Sequence, residues 1–232
     1  MMPEMRSDRV VELTPEGMVA RARTFLDRPG RTMLGITGPP GAGKSTLTQA
    51  LVEALGTNVV VVPMDGFHLA NEVLLDMGRR DRKGAPDTYD VAGYVSLLRR
   101  IRDREDQIFA PRFDRELEES IGSALPVSSA VPLVVTEGNY LLSTEHGWAD
   151  VRDTLDEVWY VDIDESEITR RLVERRVGHG HSPTAARDWV KQVDMPNAHT
   201  VIQTRESADL IMRLTEYSAS DLDSPENDRR ES

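Results

Sequence analysis

The segment "GITGPPGAGKSTL", Gly35 to Leu47, most constrains what this chain can fold into. Gly38-Pro39-Pro40-Gly41-Ala42-Gly43-Lys44-Ser45 matches the pattern G-x-x-x-x-G-K-[ST]. A β-rich run, "TMLGIT" (Thr32 to Thr37), leads into it, and helical periodicity over Ser45 to Leu55 leads out. That is the strand, loop and helix context the pattern requires. Gly38, Gly41 and Gly43 permit the torsions and close approach that let backbone N–H groups from Gly38 through Ala42 to Thr46 converge on phosphate oxygens. Lys44 is placed to reach the β and γ phosphates of a nucleoside triphosphate, and the Ser45 hydroxyl to hold Mg2+. A phosphate grip names no reaction, so the chemistry must come from other residues.

Further short β-rich runs follow at Asn58 to Met64, Pro132 to Gly138, Glu157 to Ile163 and Ala208 to Leu214. Helical periodicity fills intervals at Val91 to Arg102, Glu165 to Arg176 and Ala185 to Val193. Near-continuous apolar strands alternating with helices predict an α/β fold, a doubly wound sandwich on a buried, mainly parallel sheet. Residues 1–31 carry an amphipathic helix, Pro15 to Leu26, capped by Thr14 and expected to pack on the core. The stretch 76–125 is too long for one crossover and is expected to be an acceptor-site insertion over the sheet's carboxyl edge. Residues 218–232 have almost no apolar content and are expected to be disordered.

Composition removes several function classes. The net charge of −12 and pI near 4.9 oppose wrapping a nucleic acid, which needs clustered cations. Positive charge is local, in "RRDRK" (Arg79 to Lys83), read as a solvated face, and "RRLVERR" (Arg170 to Arg176). The absence of cysteine excludes disulfides and thiolate metal sites. No apolar run is long enough to span a bilayer, and the first residues lack a secretory core, so a cytoplasmic location is expected.

Two acidic residues end apolar runs. Asp65 in "MDGFH" falls at a strand's carboxyl edge, where open α/β sheets place ligands; it suits a general base equally with an N-cap. Glu137 in "VVTEGNYLL" suits the acidic element that binds Mg2+ through water beside a phosphate grip.

From about Thr32 to Leu214 the chain resembles the uridine kinase, pantothenate kinase and phosphoribulokinase group of P-loop kinases. The resemblance rests on "GPPGAGKST", "MDGFH", "RKGAPDTYD", "APRFD", "VVTEGNYLL", "RRLVERR" and "DMPNAHTVIQTRESADL", in this order. It implies a P-loop NTPase three-layer sandwich with a small helical lid, about residues 171–185, in a kinase domain spanning 32–217. It implies ATP and Mg2+ as cofactors and an alcohol of a small metabolite as acceptor. Asp65 then matches the general base, Asp87 a carboxylate that holds sugar hydroxyls, and Arg171 and Arg175 the lid arginines that neutralise the transferring phosphoryl group. His68, Tyr89, Phe113 and Asn139 complete the acceptor-side candidates.

Uridine kinases place a Tyr and a His where this chain has Phe113 and, near the later position, Glu118, so the uracil-reading pair is missing. The pantoyl-pocket residues of pantothenate kinases also differ. A sugar is therefore the favoured acceptor, with a nucleoside or pantothenate as alternatives. The competing class is a non-catalytic ATP-binding protein or partner-stimulated ATPase; a guanine-reading N-K-x-D motif is absent. Homodimerisation stays open.

Overall fold

A computed structural model describes residues 10–214. Six strands form one sheet: β1 (Val10–Leu13), β2 (Thr32–Thr37), β3 (Val59–Pro63), β6 (Leu133–Gly138), β7 (Glu157–Asp162) and β8 (Leu210–Leu214). Their spatial order is β1-β8-β7-β2-β6-β3, and every pairing is parallel. β4 (Ile108–Asp114) and β5 (Glu119–Val127) form a separate antiparallel hairpin. The helices are α1 (Pro15–Arg23), α2 (Lys44–Leu55), α3 (Asn71–Asp76), α4 (Val91–Arg102), α5 (Ala149–Arg152), α6 (Glu165–Gly178), α7 (Pro183–Trp189) and α8 (Met195–Ile202).

Strand alternation builds the layers. Met33, Val134, Val158, Tyr160 and Ile211 point to one face, against Tyr94, Leu98 and Ile101 of α4 and Val151 of α5. Leu34, Ile36, Val135, Trp159, Val161 and Met212 point to the other, against Met18 and Ala22 of α1 and Leu47 and Leu51 of α2. Both faces of the sheet are covered, which is why its strands read as continuous apolar runs. The result is a three-layer α/β sandwich. No helix among the described residues is long and apolar enough to cross a membrane.

The N-terminal segment holds more than a helix. Thr14 caps α1 through a bond from the Gly17 N–H, but Val10–Leu13 before it joins the sheet beside β8. Helical pairing ends at Arg23, and a 3-10 turn, Thr24–Asp27, replaces the expected last turn. Within 76–125, α4 is the core crossover between β3 and β6, capped by Asp90 through the Gly93 N–H at 2.9 Å. Alternation does not reveal the β4–β5 hairpin because Pro111 interrupts it; the register shifts there, between Ala110 and Arg112, as a bulge absorbs the missing donor. The tail 218–232 lies outside the described residues.

The predicted helix Ala185 to Val193 is part of a longer helical run with an irregular middle. Val190–Asp194 forms a π turn between α7 and α8, closed by the Met195 N–H donating to the Val190 carbonyl. Pro196 supplies the reason: in a regular helix its ring would strike the Gln192 carbonyl, and it has no N–H to donate.

Candidate active site

β2 runs into the glycine loop, and Gly43, at φ 93°, is the left-handed residue that turns the chain into α2. At the mouth of this loop lies a cleft of about 900 Å³, lined on one side by Gly41, Lys44, Ser45 and Thr46 and on the other by His68, Tyr89 and Phe113. Ala42 sits differently from its neighbours: its methyl packs into the core and its N–H donates to the Pro39 carbonyl at 3.1 Å.

Lys44 is buried, and its Nζ donates to the Gly38 carbonyl (2.9 Å), the Pro39 carbonyl (3.0 Å) and Asn139 Oδ1 (2.7 Å). Burial lowers the Lys44 pKa, and the charges of Glu137 and Asp65 oppose that shift. Asn139 thus serves as a lysine ligand within the cleft wall. Ser45 Oγ donates to Glu137 Oε1 at 3.4 Å. Burial raises the Glu137 pKa; Lys44 pulls it down and Asp65 pushes it up again.

Glu137 faces Pro63 in the β3–β6 register, so Asp65, two residues on, stands at the same carboxyl edge. It lies in a 3-10 turn, Met64–Phe67, that has no side-chain cap, so the N-cap alternative does not describe its carboxylate. That carboxylate opens into the cleft with Arg115 Nη2 4.0 Å away. A Cβ on Gly66 would collide with the Pro111 carbonyl, so the glycine of "MDGFH" lets the hairpin close over this turn.

His68 Nδ1 lies 2.8 Å from the Asp65 carbonyl, and the ring packs, tilted, between Tyr89 (4.2 Å between centroids) and Phe113 (4.7 Å). Burial lowers its pKa below the ordinary 6.5, so the ring is neutral at pH 7. A neutral ring donating from Nδ1 leaves Nε2 as an acceptor. The Tyr89 phenol is pushed well up by burial and does not ionise near neutrality.

Asp87 is elsewhere engaged. Its carboxylate takes a bidentate bond from Arg82, at 2.6 and 2.5 Å, and lies 3.4 Å from Arg79 Nη1; it does not line the cleft. Partial burial opposes ionisation there, but the two guanidinium groups outweigh it and hold the carboxyl below its ordinary value. The stretch "RRDRK" is therefore a structural clasp on Asp87, not merely a solvated face. Its last residue, Lys83, points to the cleft and donates to Asn71 Oδ1 (2.8 Å) and the Glu118 carbonyl (2.6 Å).

The two candidate lid arginines divide. Arg171 Nε donates to Glu167 Oε1 at 2.7 Å, while its Nη1 reaches the Gly41 carbonyl at 3.4 Å and so leans on the glycine loop. Arg175 has no carboxylate within ion-pair distance among the described residues; burial lowers its pKa, with Asp194 opposing. Sequence reasoning missed Arg115, Arg176, Trp189, Asp194 and Asn197, all on the cleft wall. Arg115 belongs to the unread hairpin, and the others meet only through the π turn. His179 and His181 also border the cleft, and no group of three or more His, Cys, Asp or Glu with metal-site geometry occurs among the described residues.

The sequence model of the phosphoribulokinase / uridine kinase family matches residues 33–219. The chain belongs to that family. It is 33% identical over 192 residues to YggC of Escherichia coli K12, covering 80% of this chain and 79% of that one. To a proposed uridine kinase of Schizosaccharomyces pombe it is 31% identical over 207 residues, 83% of this chain and 87% of the relative. The crystal structure of a proposed fructose transport system kinase from Silicibacter sp. TM1040 superposes with a TM-score of 0.79 at 35% identity, over 86% of this chain and 98% of the other. The chain is thus a P-loop kinase, an ATP-dependent phosphotransferase of the class whose acceptors are alcohols.

Proposed function

We propose that this P-loop kinase transfers the γ-phosphoryl group of ATP to a hydroxyl of a hydroxyl-rich small molecule, a sugar before a nucleoside, with Asp65 as general base. The observation that carries this reading is the position of Asp65: a carboxylate that caps no helix, in the same cleft as Lys44, Ser45 and Glu137. An acceptor hydroxyl against Asp65 gives up its proton to the carboxylate as its oxygen bonds to the γ-phosphorus. The bond from that phosphorus to the β-phosphate bridging oxygen breaks, and ADP leaves with the electron pair. Lys44 and Arg175 offset the charge on the phosphoryl oxygens, and Arg171 braces the glycine loop.

The donor set at the loop fits Mg2+. Ser45 Oγ and the Glu137 carboxylate are hard oxygens 3.4 Å apart, and two protein ligands leave room for phosphate and water, as this ion prefers. When bound there it neutralises phosphate charge.

Three features bear on the acceptor. The neutral His68 presents an acceptor nitrogen, and the Phe113 ring presents an apolar platform on the same wall. Phe113 lacks a phenol and Glu118 an imidazole, which disfavours uracil. The likeness to the proposed fructose transport system kinase favours a sugar. Asp87 gives this choice no direct support, since Arg82 occupies its carboxylate.

The test is ATP consumption against ketoses, aldoses, nucleosides, pantothenate and pentose phosphates, with product mass measured. Asp65→Asn should lower turnover on the accepted substrate by roughly 10²–10⁴-fold while ATP binding persists. A loss confined to melting temperature refutes the base assignment. Preference for uridine or pantothenate replaces the sugar reading, and ATP hydrolysis stimulated only by protein overturns the small-molecule acceptor.

A further inference from the structure

One residue after Arg175, α6 is tied to the α7–α8 segment. Arg176 donates to Asp194 from Nε at 2.8 Å and from Nη2 at 3.1 Å, and its guanidinium lies 4.7 Å over the Trp189 ring. The pair is well shielded, with side-chain exposures of 21% for Arg176 and 13% for Asp194. Trp189 and Asp194 are five residues apart. In a regular helix they would point about 140° apart and could not both reach one guanidinium. The π turn between them closes over one extra residue and brings both to the same side.

The clasp therefore exists only because of the π turn. It holds Arg176, in the last turn of α6, on the α7–α8 side. Arg175, the adjacent position, has no carboxylate within ion-pair distance among the described residues and borders the cleft with Asp194, Arg115, Arg176 and Asp65 as its charged neighbours. A shielded fork held on two sides is costlier to rotate than an arginine that makes no such pair.

We propose that Asp194 is a positioning residue: through Arg176 it holds the end of α6 so that Arg175 meets the transferring phosphoryl group. This rests on the kinase reading above and deepens it. Nucleotide affinity depends on the glycine loop, so the clasp should matter for the planar, transferring phosphoryl and hardly at all for bound ATP.

The experiment compares binding of Mg-ATP with binding of Mg-ADP plus fluoroaluminate, a planar phosphoryl mimic, by calorimetry on the full chain. Asp194→Asn should weaken the mimic on the order of tenfold to 10²-fold, the scale of a misplaced catalytic group, while Mg-ATP stays within about threefold. Asp194→Glu should restore most of the loss. Arg176→Lys, which keeps the charge but loses the fork, should reproduce it. Arg175→Gln should show the same selective loss, and the Asp194→Asn, Arg175→Gln pair should not be additive.

Trp148 and Trp159 are buried, so an emission change with unaltered melting reports Trp189 leaving the clasp. Equal weakening of both ligands by Asp194→Asn, full additivity, or an Arg175→Gln variant that binds the mimic normally would overturn the proposal. Failure of the unmodified chain to bind Mg-ATP would instead overturn the kinase reading.

Discussion

Gly138 offers a way to move the proposed base without touching it. A Cβ added there would lie 2.6 Å from both Cβ and Sδ of Met64 and 3.1 Å from its Cγ. Ordinary carbon contacts are about 3.5–4.0 Å, so the overlap is on the order of 1 Å. Met64 is fully buried, and its Cβ is fixed to the backbone, so rotamer change relieves only the sulfur contact. The remainder must be absorbed by a shift of the chain that carries Asp65, the next residue. Overpacking of this kind costs about 1–3 kcal/mol, and in a chain of this size each kcal/mol lowers Tm by roughly 2–4 °C. A displacement near 1 Å at a general base costs on the order of 10² in turnover. Gly138→Ala should therefore lower Tm by several degrees and kcat far more than that instability explains, measured at saturating ATP and acceptor below the melting range. Gly122→Ala, whose Cβ meets nothing within 4 Å, is the control and should leave both within error. Normal kcat in a destabilised Gly138→Ala variant would refute the coupling between Met64 and Asp65, and an unchanged Tm would refute the overlap itself.

Lys44→Ala should abolish phosphoryl transfer with circular dichroism unchanged; near-normal turnover would remove Lys44 from the proposed role. Glu137 links stability to pH: because burial raises its folded pKa above the ordinary 4.5, the unfolded chain releases that proton first. Stability then falls as pH rises from about the ordinary value through the raised one, and stays lower above it. Glu137→Gln should flatten that decline in a series of melting curves while abolishing transfer; an unchanged slope would contradict the burial argument. Asp87→Ala should release Arg82 and Arg79 and cost about 0.5–1 kcal/mol, since both arginines are substantially exposed, with acceptor KM rising less than roughly threefold. A larger KM effect at constant Tm would return Asp87 to direct acceptor binding.

The sequence by itself determined what depends on a few consecutive residues. The strand, glycine loop and helix around Lys44 follow from local torsions and orphan N–H groups, and the buried strands follow from apolar runs whose period needs no partner to be recognised. That places Asp65 and Glu137 at strand ends before any coordinates are known. Tertiary structure decided what depends on which distant segments meet. Val10–Leu13 becomes a strand only because β8, two hundred residues on, lies beside it. Asp87 is drawn to Arg82 and Arg79, and Arg171 to Glu167 and the Gly41 carbonyl, because a charged side chain takes the partner that packing brings within a few ångströms. Pro196 signals a break when read locally, yet the helix continues through a π turn, and that turn carries Asp194 to Arg176, while Arg175 has no ion pair among the described residues. Local pattern fixed each element and its edge; the distances between elements, which no periodicity encodes, assigned the charges their partners.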